Sequence, residues 1–196
     1  MSIKIETETV TPKVGARSAV VAFRLWATRH RITAALLAGF VAVHVATIIG
    51  FWMGGFGLTR QDWPTANGLV YIPHASALAL FVVGAVAHYL DGIFFALVFA
   101  IGIAPYVPIR ATLLGNLAKG VLFGIVLAIV SLSIMTPFIY APARGSVAGL
   151  FSSNFGLVYI VSVFVFHIVY GLNLGLIYNP YDETSPESQA DKSILA

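Results

Sequence analysis

The charged residues of this chain fall in clumps, and the stretches between them are long enough to cross a membrane. No Asp, Glu, Lys or Arg occurs between Arg31 and Arg60 or between Asp62 and Asp91, and positions 92–109, 120–143 and 145–181 are equally free of them. A helix crossing the hydrocarbon core needs about 20 mostly apolar residues. The sequence predicts four such spans, at 32–54, 75–104, 117–140 and 155–178. Strands of a membrane barrel would alternate in polarity over about 10 residues, whereas these windows are solidly apolar.

Composition narrows the class further. Hydrophobic residues make up 59% of the 196 and charged residues 10%, against about 25% charged in a soluble domain. So little polar cover excludes a soluble globular fold and a disordered chain. With 0 cysteines there is no disulfide, no thiolate metal site, no covalently attached c-type haem and no cysteine nucleophile. The expected fold class is all-α, a polytopic membrane protein of four transmembrane helices. Three regions follow: a basic tail at 1–31 containing an interfacial helix, a bundle at 32–178, and an acidic tail at 179–196.

Lys and Arg set the expected orientation. Lys4, Lys13, Arg17, Arg24, Arg29, Arg31, Arg110, Lys119 and Lys192 lie on the side of the termini, and only Arg60 and Arg144 lie opposite. Nine against two places both termini in the cytoplasm of a bacterial inner membrane. Between Ser18 and Arg31 a helix would set Arg24, Thr28 and Arg31 on one face and Val20, Phe23 and Ala27 on the other, with Trp26 at headgroup level. Asp182, Glu183, Glu187 and Asp191 make the C-terminal tail acidic and solvated. Trp52, Trp63 and Tyr71 fit an outer aromatic belt. The outer loop at 55–74 carries turn signals at Trp63-Pro64 and Asn67-Gly68.

The chain also repeats itself. His88-Tyr89-Leu90-Asp91-Gly92 followed by Ala96-Leu97-Val98-Phe99 matches His167-Ile168-Val169-Tyr170-Gly171 followed by Gly175-Leu176-Ile177-Tyr178. Both read H-x3-G-x3-[AG]-L-[VI]-[FY]. Gly39 aligns with Gly124, so the bundle reads as two copies of one hairpin, at 32–104 and 117–178. Two spans per copy preserve orientation and make the repeat parallel, with its axis along the membrane normal. With Ser133-Ile134-Met135-Thr136-Pro137 in the preceding span, this element resembles a group of small bacterial multi-pass proteins of unassigned function. The resemblance covers the four spans and implies a fold but no activity. The first copy departs from it, since Thr47-Ile48 has no Met-Thr-Pro equivalent.

Polar groups in hydrocarbon mark candidate sites. At 1.5 Å per residue, His88 and His167 each lie about 17 Å from the inner edge of the core, and His44 about 18 Å. A b-type haem ligated by His88 and His167 is one expectation, because imidazole is a common axial ligand. Gly92 and Gly171, one turn away, would make room for it. Copper or another metal with His44 as third ligand is a second. The alternative is packing: Gly92-x3-Ala96 and Gly171-x3-Gly175 are small-xxx-small motifs, and the histidines would then hydrogen-bond across a helix interface. Asp91, the only acid within a span, has His88, His167, Tyr170 and Asn173 as candidate partners. It would support a ligand histidine, relay protons, or form a polar pair that fixes helix register.

No nucleophile elbow, phosphate loop, HExxH or paired catalytic carboxylates occur. The sequence therefore predicts a small subunit of a larger, energy-transducing membrane complex, with lipid and other membrane subunits as partners and no nucleic acid. A cofactor-free assembly subunit and a proton or small-solute conduit are the rival expectations.

Overall fold

A computed structural model describes residues 16–181 and Gln189. The acidic tail residues Asp182, Glu183, Glu187 and Asp191, and the basic residues Lys4, Lys13 and Lys192, lie outside them. Helix α1 (Ala16–Arg29) is broken at His30 and followed by α2 (Arg31–Trp52). A 3-10 turn (Met53–Phe56) leads to α3 (Trp63–Tyr71). Helix α4 (Ala77–Leu97) continues as a π-helix (Val98–Ile103). Helix α5 (Leu113–Val130) continues as a π-helix (Ser131–Tyr140) and a single turn, α6 (Ala141–Ala143). A 3-10 segment (Leu150–Phe155) opens α7 (Gly156–Ile177). The described residues contain no strand.

Four helical stretches are long and apolar enough to cross a membrane: Arg31–Phe56, Ala77–Ile103, Leu113–Ala143 and Leu150–Ile177, the last with left-handed backbone at Phe151 and Ser152. Two of them, α4 and α5, start at side-chain caps. Ser76 Oγ accepts from Ala79 N at 3.4 Å and Thr112 Oγ1 from Gly115 N at 3.0 Å, satisfying amides that the first turn leaves without a partner. Helices suit this setting because lipid offers no hydrogen bond to backbone.

Size decides which faces meet. Helix α2 presents Ala34, Ala35, Ala38, Ala42 and Ala46 inward, each 0% exposed. Large apolar side chains such as Phe40, Leu90, Phe94, Leu122 and Phe138 stay exposed on the bundle surface. The helices approach through glycine. A Cβ on Gly39 would stand 2.6 Å from Ala96 Cβ, and one on Gly92 equally close to Val43 Cβ. Between α5 and α7, Gly120 meets the Gly171 carbonyl, Gly124 that of His167, and Gly175 that of Asn116. So α2 pairs with α4 and α5 with α7, and α2 also packs on α7 and joins the hairpins. The small-xxx-small motifs therefore close each hairpin. By contact, Gly39 corresponds to Gly120 and Val43 to Gly124, one turn from the sequence alignment of Gly39 with Gly124.

Two readings of the flanking segments need correction. The 55–74 loop is largely helical: Asp62 Oδ1 accepts from Thr65 N at 3.1 Å and Pro64 sits in the first turn, so α3 forms where turns were expected. It lies tight on α4, since a Cβ on Gly68 would strike the Leu80 carbonyl and one on Gly84 that of Pro64. Trp63 is thereby 7% exposed, in the core and away from any belt, while Trp52 and Tyr71 stay exposed. At the opposite end, Arg24 and Thr28 of α1 turn inward together with Ala27, while Arg31 stays exposed. Arg24 is 4% and Thr28 7% exposed, and Val20 faces out. Arg24 Nη2 donates to Ala111 O at 3.1 Å, and Tyr181 N donates to Thr28 Oγ1 at 2.8 Å. Thus α1, the 104–112 segment and residues 178–181 gather at one end of the bundle.

The backbone contacts of Gly171 make it a stringent position between α5 and α7. Gly171→Ala should lose about 1–3 kcal/mol through overpacking, read as a lower unfolding midpoint in detergent. Gly102→Ala, with open space around the added methyl, should shift the midpoint far less.

Candidate functional site: an imidazole-lined cavity

His88 sits on α4 and His167 is the twelfth of the 22 residues of α7, about 17 Å along that helix from Gly156. Both rings line one cavity of about 90 Å3 between α2, α4, α7 and the α5 π-helix. Asp91, Tyr170, Trp63, Tyr140, Ser131 and Phe166 also line it. The Phe166 ring lies beside both imidazoles, with centroids 6.1 Å from His88 and 5.4 Å from His167. By the measure in which one water needs about 10–15 Å3, the space suits a small group of waters.

Hydrogen bonds assign the protons. Thr47 Oγ1 lies 2.6 Å from Val43 O and 2.9 Å from His88 Nε2. A hydroxyl has one proton and a carbonyl can only accept. Thr47 therefore donates to Val43 and accepts from His88 Nε2–H, which leaves a lone pair on His88 Nδ1. His167 Nδ1 lies 2.8 Å from Val163 O, so Nδ1 carries the proton and Nε2 the lone pair. Neither lone-pair nitrogen has a hydrogen-bond partner among the described residues. Each ring is anchored through one nitrogen and open at the other.

The remaining candidates divide. Asp91 is partly buried on the cavity wall and makes no hydrogen bond among the described residues. Tyr170, expected as its partner, donates instead to Gly92 O at 2.6 Å and ties α7 to α4. Asn173 Nδ2 donates to Val169 O of its own helix at 2.8 Å, back-bonding where support for Asp91 was expected. His44 is not brought to the other two histidines. It is exposed, shares a 2.5 Å hydrogen bond with the Tyr89 hydroxyl, and stacks on Phe40. Among the described residues no three His, Cys, Asp or Glu side chains are grouped as a metal centre.

Several lining residues escape a reading by depth alone. Trp63 packs on Tyr140 at 5.1 Å and on His167 at 6.4 Å between centroids. Its buried Nε1–H is without a hydrogen-bond partner. The signal for it was Asp62-Trp63-Pro64, an N-cap followed by a first-turn proline. Tyr140 donates to Asn67 Oδ1 at 2.7 Å, locking α3 to the π-helix. That π-helix, with Pro137 inside it, carries Ser131, Met135 and Tyr140 to the cavity. Trp63 also lines a second, polar pocket of about 270 Å3 with Arg60, Asp62, Arg144 and Tyr159. One indole thus forms a wall of both spaces. No family model, curated protein or solved structure matches this chain.

The tautomers are measurable. Nitrogen-15 NMR of labelled protein should show His88 protonated at Nε2 and His167 at Nδ1. Thr47→Val should remove the preference at His88 only and lower stability by about 0.6 kcal/mol, the mean for interhelical hydrogen bonds in membranes.

Proposed function

We propose that this chain is a small integral-membrane subunit whose working part is a proton-exchanging cavity. The observation that carries the reading is the meeting of His88, His167 and Asp91 on one mid-span cavity, with both imidazole lone pairs unengaged. A neutral imidazole accepts a proton at such a nitrogen and releases one from the other. A carboxyl group inside a membrane is a functional position by default, because hydrocarbon penalises it. Waters in a cavity of this size would connect the three groups by hydrogen bonds. Trp63 supports a route toward the pocket of Arg60, Asp62 and Arg144, since it borders both spaces. The nine-to-two distribution of Lys and Arg supports cytoplasmic termini in a bacterial inner membrane, which makes that pocket the outer mouth. Exchange of protons without a chemical reaction of its own suits a partner subunit of an energy-transducing complex.

A second reading, in which His88 and His167 ligate a b-type haem or another metal, has one specific observation in its favour. The Nδ1–H of His167 held by a backbone carbonyl, with Nε2 free, is the arrangement that orients ligating histidines. For a porphyrin the spans would have to part, since 90 Å3 is well below the 300–1,000 Å3 of ordinary ligand pockets.

Proton flux into proteoliposomes containing the purified chain separates these readings. Asp91→Asn, and His88→Ala with His167→Ala, should lower flux by about a hundredfold, the scale set by loss of a positioned proton carrier. The unfolding midpoint of Asp91→Asn should remain near that of the parent. Wild-type flux no greater than that of empty liposomes defeats the relay. A Soret band in the purified chain, lost in both histidine variants, would move the assignment to haem.

A further inference from the structure

The terminal-side end of the bundle holds a second polar pocket, far from the imidazoles in composition and in charge. It has a volume of about 410 Å3 and is lined by Arg31, Arg110, Lys119, Asn116, Tyr178 and Tyr181 together with further residues of the 104–111 segment. Among the described residues three cations line it and no acid does. Lys119 is 7% exposed, and its ammonium donates to Ala104 O at 2.9 Å. A carbonyl satisfies one of its three N–H groups and none of its charge. Arg31 and Arg110 are exposed and make no ion pair or hydrogen bond among the described residues. Among the described residues these three cations have no carboxylate partner, and an anion placed between them would interact with all three.

The walls are built before any ligand arrives. Asn116 Nδ2 donates to Asn179 Oδ1 at 2.7 Å and to Pro180 O at 3.0 Å. Arg24 reaches Ala111 O and lies 3.7 Å from the centroid of the Tyr181 ring. Gly115 allows the Arg110 carbonyl to pack against the first turn of α5, where a Cβ would collide with it. The start of α5, an 18-residue helix, adds the positive end of its dipole at the same place.

We propose that this pocket binds a phosphate group, and that its source is the headgroup of an anionic phospholipid. Its position favours lipid over a free ion. Arg31 begins α2, Lys119 lies in the second turn of α5 and Tyr178 closes α7, so the pocket stands where hydrocarbon gives way to headgroups. Ile32, Leu113 and Leu114, next to these residues in the chain, are exposed apolar side chains along which acyl tails can lie. Basic pockets between spans are a recurrent way of holding anionic headgroups. The assignment is independent of the proton-exchange reading and survives its failure.

The test is the thermal midpoint of the purified full-length chain in neutral detergent, titrated with phosphatidylglycerol, phosphatidylcholine or inorganic phosphate. Phosphatidylglycerol should raise the midpoint saturably and phosphatidylcholine should not. The exposed pair Arg31→Ala and Arg110→Ala, combined in one chain, should weaken the phosphatidylglycerol response by about tenfold or more. Arg60→Ala, at the other end, should leave it unchanged. An equal response to phosphatidylcholine, or an undiminished one in the double variant, overturns the site. Inorganic phosphate matching the lipid at equal concentration overturns the lipid source.

Discussion

Lipid gives helices no hydrophobic reason to associate, because acyl chains are as apolar as leucine side chains. This bundle depends on the remaining force, close van der Waals contact between backbones. The alanine row of α2 and the glycines at 39, 92, 120, 124, 171 and 175 permit that contact. The architecture follows. Each hairpin closes where its small residues face each other, and α2, whose buried face is a row of alanines, is the helix against which both α4 and α7 pack. Larger apolar residues have no room inside and turn outward, where lipid accepts them.

The cavity is the counterpart of that close packing. Beside the glycine contacts, Phe166, Trp63 and Tyr140 line it, and the π-helix that continues α5 contributes Ser131 and Met135. Polar groups left there must be satisfied or be functional. The two histidines, which sit in matching sequence motifs, meet that demand differently. His88 finds Thr47 on the neighbouring helix. With Gly39 matched to Gly120, the counterpart of Thr47 in the second copy is Ala128, which has no hydroxyl. His167 turns instead to the Val163 carbonyl of its own helix. Equivalent rings are therefore anchored through different nitrogens, and the space between them is not symmetric.

Much of this was legible in the sequence because membrane insertion depends on local properties. Uncharged length placed the spans within a few residues, and equal depth singled out His88 and His167. What was not legible depended on packing across the chain. Trp63 looked like a belt residue because its neighbours read as a turn, and only the contact of Gly68 and Gly84 buries it. Arg24 and Thr28 looked like a solvent-facing stripe, yet residues 111 and 179–181 supply their partners. Tyr170 and Asn173 looked available to Asp91, but nearer backbone carbonyls take their protons.

The sequence by itself determined that this protein is all-α with four helices long and apolar enough to cross a membrane, because hydrophobic length and small-residue spacing act over single helices. The tertiary structure alone decided which polar side chains share a space. It put two imidazoles and a carboxyl on one cavity, sent His44 outward to Tyr89, and gathered three cations at the terminal end. Depth along a helix can be counted from residue number. The direction a side chain faces depends on which neighbour its helix meets, and that neighbour is set by contacts between residues far apart in the chain.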